Sequence, residues 1–138
     1  METLTPSLQF ITDLTSFQAT ISRRFDGRLG VFHGIGLSEF IILYHLHEAP
    51  EQKMRRIDLA EKLGLTPSGV TRLLAPMEKI GLVSREANAQ DARVSLVSLA
   101  LGGKRVFTEA LYSAEELAAE IMGNVSLKDA KNLISLLR

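Results

Sequence analysis

The chain contains no cysteine, which excludes a disulfide framework, a thiolate zinc site and a thiol redox sensor. It also lacks net charge: sixteen Lys and Arg balance sixteen Asp and Glu, so the total charge does not point toward nucleic acid or an anionic membrane. No apolar run approaches the roughly 18 residues that a bilayer span needs. The opening Met1-Glu2-Thr3-Leu4-Thr5-Pro6 has no basic segment leading into an apolar one. A cytoplasmic protein without membrane association is therefore expected. There is no G-x-S-x-G, no P-loop, no H-E-x-x-H and no carboxylate in a recognisable catalytic context, so neither an enzyme, a catalytic residue nor a cofactor is expected. Three histidines are scattered; His45 and His47 lie two apart, about 200° around a helix axis, and cannot share one metal. No metal site is expected.

What is present is one folded domain. A length of 138 residues, 46% hydrophobic and 23% charged, leaves room for a single core and no linker or repeat. From Leu4 to Phe25 the residues Leu4, Leu8, Ile11, Leu14, Phe17, Ile21 and Phe25 recur at steps of three or four, the period of a long amphipathic helix. Gly27 and Gly30 are expected to stop it. Ser38 is then placed to cap a second helix running to Leu46, ended by Pro50. A short helix over Asp58–Leu63 closes at Gly64, and Thr66 with Pro67 starts another that reaches Ile80 before Gly81. Pro76 falls inside that helix and predicts a bend.

Two helices joined through Gly64-Leu65-Thr66 make a helix-turn-helix. The strand-like runs Leu82–Glu86 and Arg93–Leu99 flank residues 87–92 and predict a hairpin. Helix-turn-helix plus hairpin is a winged helix. A helix of about 20 residues follows Gly102-Gly103, and Ser126-Leu127-Lys128-Asp129 has the S-x-x-D pattern that caps a final one. The fold class is thus mainly α with a small β-hairpin wing, flanked by long terminal helices.

The neutral total hides an asymmetry. Residues 51–105 carry ten basic and six acidic side chains, while the rest of the chain carries six basic and ten acidic. A basic centre between acidic ends suits a DNA-reading module on a scaffold that does not touch DNA.

The run Asp58-Leu59-Ala60-Glu61-Lys62-Leu63-Gly64-Leu65-Thr66-Pro67-Ser68-Gly69-Val70-Thr71-Arg72-Leu73-Leu74, continued by Met77-Glu78-Lys79-Ile80-Gly81-Leu82-Val83, resembles the MarR family of bacterial transcription regulators. Asp91-Ala92-Arg93 in the wing is similar to that family's D-x-R element. The resemblance implies a single MarR-like domain over residues 1–138, with residues 37–101 as the DNA-binding winged helix and residues 1–30 plus 102–138 as dimerisation helices. It implies a homodimer gripping a pseudo-palindromic operator in double-stranded DNA, more often as a repressor. It also implies a site for a small aromatic or phenolic effector between the dimerisation helices and the winged helix. In this chain Phe17, Arg24, Phe32, His33, Phe40 and Tyr44 are the candidate lining, with plain core or interface packing as the competing reading for every one.

The residues themselves agree with DNA reading. In the helix from Pro67, the residues Val70, Leu73, Leu74 and Met77 form an apolar face, leaving Ser68, Gly69, Thr71, Arg72 and Ala75 outside, and Pro67, Ser68, Gly69, Thr71 and Arg72 are the candidate readout residues. That outer face is small and mostly uncharged near its start, so it can approach the floor of a major groove, where hydroxyls reach base edges and Arg72 reaches guanine. Capping and solvent exposure are the competing reading for Ser68, Thr71 and Arg72, as is helix initiation for Pro67. Arg93, at the base of the hairpin tip, is suited to a narrow A·T-rich minor groove, with Asp91 orienting its guanidinium. Arg85, Lys53, Arg55 and Arg56 are candidate phosphate contacts. The alternative function is a winged helix used as a protein-interaction module without DNA binding, which a wing lacking Asp91 and Arg93 would favour.

Overall fold

In the computed structural model, which describes residues 2–138, six α-helices surround a three-stranded antiparallel sheet. Helix α1 (Pro6–His33) leads into α2 (Leu37–Glu48), a single 3-10 turn, β1 (Lys53–Arg55) and α3 (Arg56–Leu63). Helix α4 (Pro67–Lys79) is followed by β2 (Val83–Ala87), β3 (Ser95–Leu99), α5 (Leu101–Met122) and α6 (Leu127–Leu137). The order helix-turn-helix then hairpin, between long terminal helices, is the winged-helix class expected. Met1, the first residue of the segment 1–30 expected to dimerise, lies outside the described residues.

Helix α1 runs through both Gly27 and Gly30 and stops at Gly34, whose φ of 71° is left-handed. The helix passes the expected stop because interior glycine costs only about 1 kcal/mol, and burial of Phe25 and Leu29 offsets it. Helix α2 is not capped by Ser38. It begins after Gly36, and the Leu37 N–H donates to Asp26 Oδ1 of α1 at 2.8 Å. A carboxylate eleven residues away does the work expected of the local hydroxyl.

The caps of α4 and α6 are as the sequence indicates. Thr66 Oγ1 accepts from the Gly69 N–H at 3.1 Å, and Ser126 Oγ accepts from the Asp129 N–H at 3.0 Å. Helix α4 continues unbroken through Pro76, which is exposed while its neighbours Leu74 and Met77 are buried. Strand β1 is an addition to the elements expected. It is three residues long and pairs with β3 (Lys53 opposite Ser98, Met54 opposite Val97, Arg55 opposite Leu96), so β3 is the central strand. The first hairpin arm is shifted by one residue from the expected position and the second starts two residues later, leaving residues 88–94 as the tip.

One core joins these elements. Leu29 of α1, Ile42, Leu43 and Leu46 of α2, Leu59 of α3, Val70, Leu74 and Met77 of α4, Val97 of β3 and Leu117 of α5 are all fully buried. Each such side chain contributes roughly 1.5–3 kcal/mol through removal from water. The core holds α4 with one face inward and the other to solvent. By contrast, every residue from Glu2 to Thr20 is exposed, including Leu4, Leu8, Phe10, Ile11, Leu14 and Phe17, and α6 has no buried residue.

Candidate nucleic-acid interface

The turn between α3 and α4 fixes the start of α4. Gly64 adopts φ 66°, its N–H donates to the Glu61 carbonyl at 3.2 Å, and the Leu65 N–H donates to the Ala60 carbonyl at 3.0 Å, closing α3. Pro67 then takes the first helical position and Thr66 caps. Gly69 is half-buried beside that cap, where a β-carbon would lie 3.3 Å from Thr66 Oγ1. The outer face of the first turns presents Pro67, Ser68, Thr71 and Arg72, all exposed. Ser68 Oγ lies 3.2 Å from Thr66 Oγ1. Arg72 makes no ion pair or side-chain hydrogen bond among the described residues. Val70, Leu74 and Met77 are buried and Leu73 half-buried, the division the helical period indicates.

At the hairpin tip Arg93 is tied to Asp91 three times. Its backbone N–H donates to Asp91 Oδ1 at 3.0 Å, its Nε to the same oxygen at 3.1 Å, and its Nη2 to Oδ2 at 3.3 Å. These bonds hold the Asp91 carboxyl below its ordinary range, the side-chain bond most and the backbone bond next. The Arg93 side chain is 91% exposed, so Asp91 orients the guanidinium without withdrawing it from solvent. Asn88 shapes the same tip, accepting from the Gln90 N–H at 2.8 Å.

The remaining basic residues divide sharply. Arg56, expected as a phosphate contact, is instead a hub inside the winged helix: only 15% of its side chain is exposed. Its Nε donates to Ser95 Oγ of β3 at 3.2 Å, Nη1 to Thr71 Oγ1 at 2.9 Å and Nη2 to Glu78 Oε1 at 3.0 Å. Arg85 is largely exposed and lies 3.6 Å from the same Glu78 carboxylate. Arg55 forms a forked pair with Asp58 at 2.8 and 3.0 Å, which holds the Asp58 carboxyl low. Lys53 sits 3.2 Å from Glu86 across the sheet. Sequence reasoning missed Glu78 and Ser95 as partners, because nothing in the linear order signals that residues 22 and 39 positions from Arg56 meet it.

The six residues considered for an effector are not gathered in one cleft of this chain. Phe40 stacks on Phe107 of α5 with ring centres 5.4 Å apart, and Tyr44 lies 6.4 Å from the same ring. His33 Nε2 lies 2.7 Å from Ser113 Oγ of α5, and Arg24 pairs with Glu120 of α5 at 3.5 Å. Phe17 and Phe32 are exposed. An open cleft of about 860 Å³ between α2 and the β1–α3 segment is lined by Tyr44 alone among the six, together with His45, Glu48, Met54, Asp58 and Lys62. Among the described residues no three His, Asp or Glu side chains converge as metal ligands. Nor, among the described residues, is any single helix long and apolar enough to cross a membrane.

Residues 35–95, from the buried Ile35 before α2 to the start of β3, match the sequence profile of the MarR family. The chain is 27% identical over 129 residues to the uncharacterized HTH-type transcriptional regulator YdgJ of Bacillus subtilis (strain 168), covering 94% of this chain and 75% of that protein. Its fold is similar to that of Sco3205, a MarR family transcriptional regulator from Streptomyces coelicolor solved in complex with DNA. The TM-score is 0.86 at 23% identity, over 100% of this chain and 88% of the other. BldR, a transcriptional regulator from Sulfolobus solfataricus, superposes with a TM-score of 0.85 at 24% identity, covering 99% and 98% of the two chains. The MepR–DNA complex of S. aureus gives 0.80 at 21% identity, over 98% and 94%. At these identities the structural likenesses establish the fold.

Proposed function

We propose that the chain, whose residues 35–95 match the MarR family profile, regulates transcription as a homodimer on a pseudo-palindromic operator in double-stranded DNA, as a repressor. The observation that carries this reading is the exposed, uncharged start of α4, capped by Thr66 and followed by Arg72, which has no side-chain partner among the described residues. Such a surface enters a major groove without electrostatic or steric obstruction, and its residues are of the types that bond base edges. Pro67, Ser68, Gly69, Thr71 and Arg72 would meet one groove floor, and Arg93, held by Asp91, the flanking minor groove. Arg85 beside them would contact phosphate. The DNA complexes of Sco3205 and MepR support this use of the fold.

Residues 37–101 would then be the reading module, with α1, α5 and α6 as the dimerisation scaffold. The apolar side chains left exposed on α1 and α6 support a second copy as their cover. Two α4 helices related by a two-fold axis would enter successive major grooves about 34 Å apart. An aromatic or phenolic effector would act by favouring a dimer with the wrong separation, a population shift requiring only a few kcal/mol of differential affinity. Phe40, Tyr44 and Phe107 supply an aromatic surface where α2 meets α5, while His33 and Arg24 meet α5 farther along, at Ser113 and Glu120.

The test is fluorescence anisotropy with DNA from upstream of the protein's own coding region, against a shuffled duplex, across a salt series. Selective binding that weakens steeply with salt is expected. Absence of binding to any duplex at low salt would overturn the reading in favour of a protein-interaction module.

A further inference from the structure

We propose that Thr71 reads DNA through its methyl group, toward the 5-methyl of a thymine, and that Arg56 is the positioning residue that turns its hydroxyl away. The proposal rests on α4 being the helix that enters the major groove. A threonine hydroxyl has one donor and two acceptor sites. The Thr71 hydroxyl donates to the Pro67 carbonyl at 3.1 Å and accepts from Arg56 Nη1 at 2.9 Å. Two of its three sites are filled, and it has no hydrogen left to give a base.

Arg56 cannot easily release it. The guanidinium is a rigid fork, fixed at its other corners by Ser95 Oγ at 3.2 Å and Glu78 Oε1 at 3.0 Å, in a largely buried side chain. Thr71 nevertheless remains exposed. With its oxygen turned back along the helix and toward Arg56, what it offers outward is Cγ2. In the major groove, thymine alone among the bases carries a methyl group, and a threonine methyl is one of its apolar partners. Hydrogen-bond readout then falls to Ser68 and Arg72, which no buried partner restrains.

The experiment uses the full-length protein to select duplexes from a randomised pool. Each dT of the selected sequence is then replaced singly by dU, which removes only the 5-methyl, and affinity is read by anisotropy at fixed salt. One dT in each half-site is expected to lose about fourfold on replacement, the worth of one buried methyl. Thr71→Val should keep both the affinity and that sensitivity. Thr71→Ser should still bind but no longer distinguish dT from dU. Arg56→Met, which frees the hydroxyl, should blunt the distinction; the Thr71 variants leave the Arg56 bonds to Ser95 and Glu78 in place, so the answer does not depend on its folding. Selective binding with no methyl-sensitive position, or Val binding worse than Ser, would overturn the proposal. If the wild type selects no sequence and binds no duplex at low salt, the DNA-reading function fails first and takes this inference with it.

Discussion

Gly103, in the first turn of α5, lies so close to the Leu82 carbonyl that a β-carbon would overlap the oxygen. The same carbonyl accepts from the Ala100 N–H at 3.1 Å, and Gly102 meets the Gly81 carbonyl, where a β-carbon would stand 2.7 Å away. Residues 81 and 82 are the turn that leaves α4. The start of the long helix α5 is thus seated on the turn that follows α4, backbone against backbone.

Gly103→Ala is therefore expected to destabilise the protein by about 1–3 kcal/mol, the ordinary cost of overpacking where a backbone must shift. Gly30→Ala should do the reverse. That glycine is inside α1, with open space for 4 Å around the position a β-carbon would take, and alanine at such a position is worth up to about 1 kcal/mol. Urea denaturation of the two variants beside the wild type measures both signs.

The contrast between these glycines explains what was legible in the sequence. Local chemistry was readable where it acts locally: the Thr66 and Ser126 caps, the left-handed Gly64 and the buried stripe of Val70, Leu74 and Met77 all follow from residue type and spacing. Gly27 and Gly30 mislead because their cost is offset by Phe25 and Leu29, which pack against elements far along the chain. Strand β1 is hidden because Lys53-Met54-Arg55 has no strand pattern of its own and is held by β3. The role of Arg56 is hidden for the same reason: its three partners come from α4 and β3. At the candidate interface the exposed residues were identifiable, and the bonds that restrain them were not.

The exposed apolar faces of α1 and α6 give the second prediction. Leu14 and Ile134 are 37% and 50% exposed in the single chain, so a charge at either costs the isolated fold little but is expensive inside a dimer interface. Leu14→Glu and Ile134→Glu should each shift the protein to monomer in sedimentation velocity at micromolar concentration, with helical circular dichroism retained. A wild type that is already monomeric would remove the dimer from the proposal.

The wing gives the third. Arg93→Ala should weaken operator binding roughly tenfold, within the range for loss of one specific arginine contact, and lower the salt slope by about one if the guanidinium neutralises phosphate charge. Asp91→Asn should cost less, since the guanidinium stays and loses only part of its restraint. Anisotropy titrations at several salt concentrations separate the two effects. Equal affinity of wild type and Arg93→Ala would exclude the minor-groove role.

The pH dependence of stability gives the fourth. Glu120 accepts from Arg28 at 3.1 and 3.2 Å and lies 3.5 Å from Arg24, and the Arg28 hydrogen bond is the main cause holding its carboxyl below the ordinary 4.5. Asp58 and Asp91 are likewise held below 3.8 by Arg55 and Arg93. For each, the unfolded chain binds the proton more readily than the folded one, so stability rises with pH across that window. The contribution is fully present above the unfolded value and is lost as pH falls through the folded one. His45 adds a separate step: burial foremost, with Lys62 nearby, lowers it from 6.5, so the folded state disfavours its protonation and stability also declines as pH drops below that value. Urea melts from about pH 8 to about pH 3 should show a first decline that His45→Gln removes and an acid decline that Glu120→Gln lessens. Because Glu120, Arg24 and Arg28 tie α1 to α5, the acid step should appear in probes of the α1–α5 contact before it appears in probes of the winged helix. Simultaneous loss at both places would mean that these ion pairs do not govern the junction.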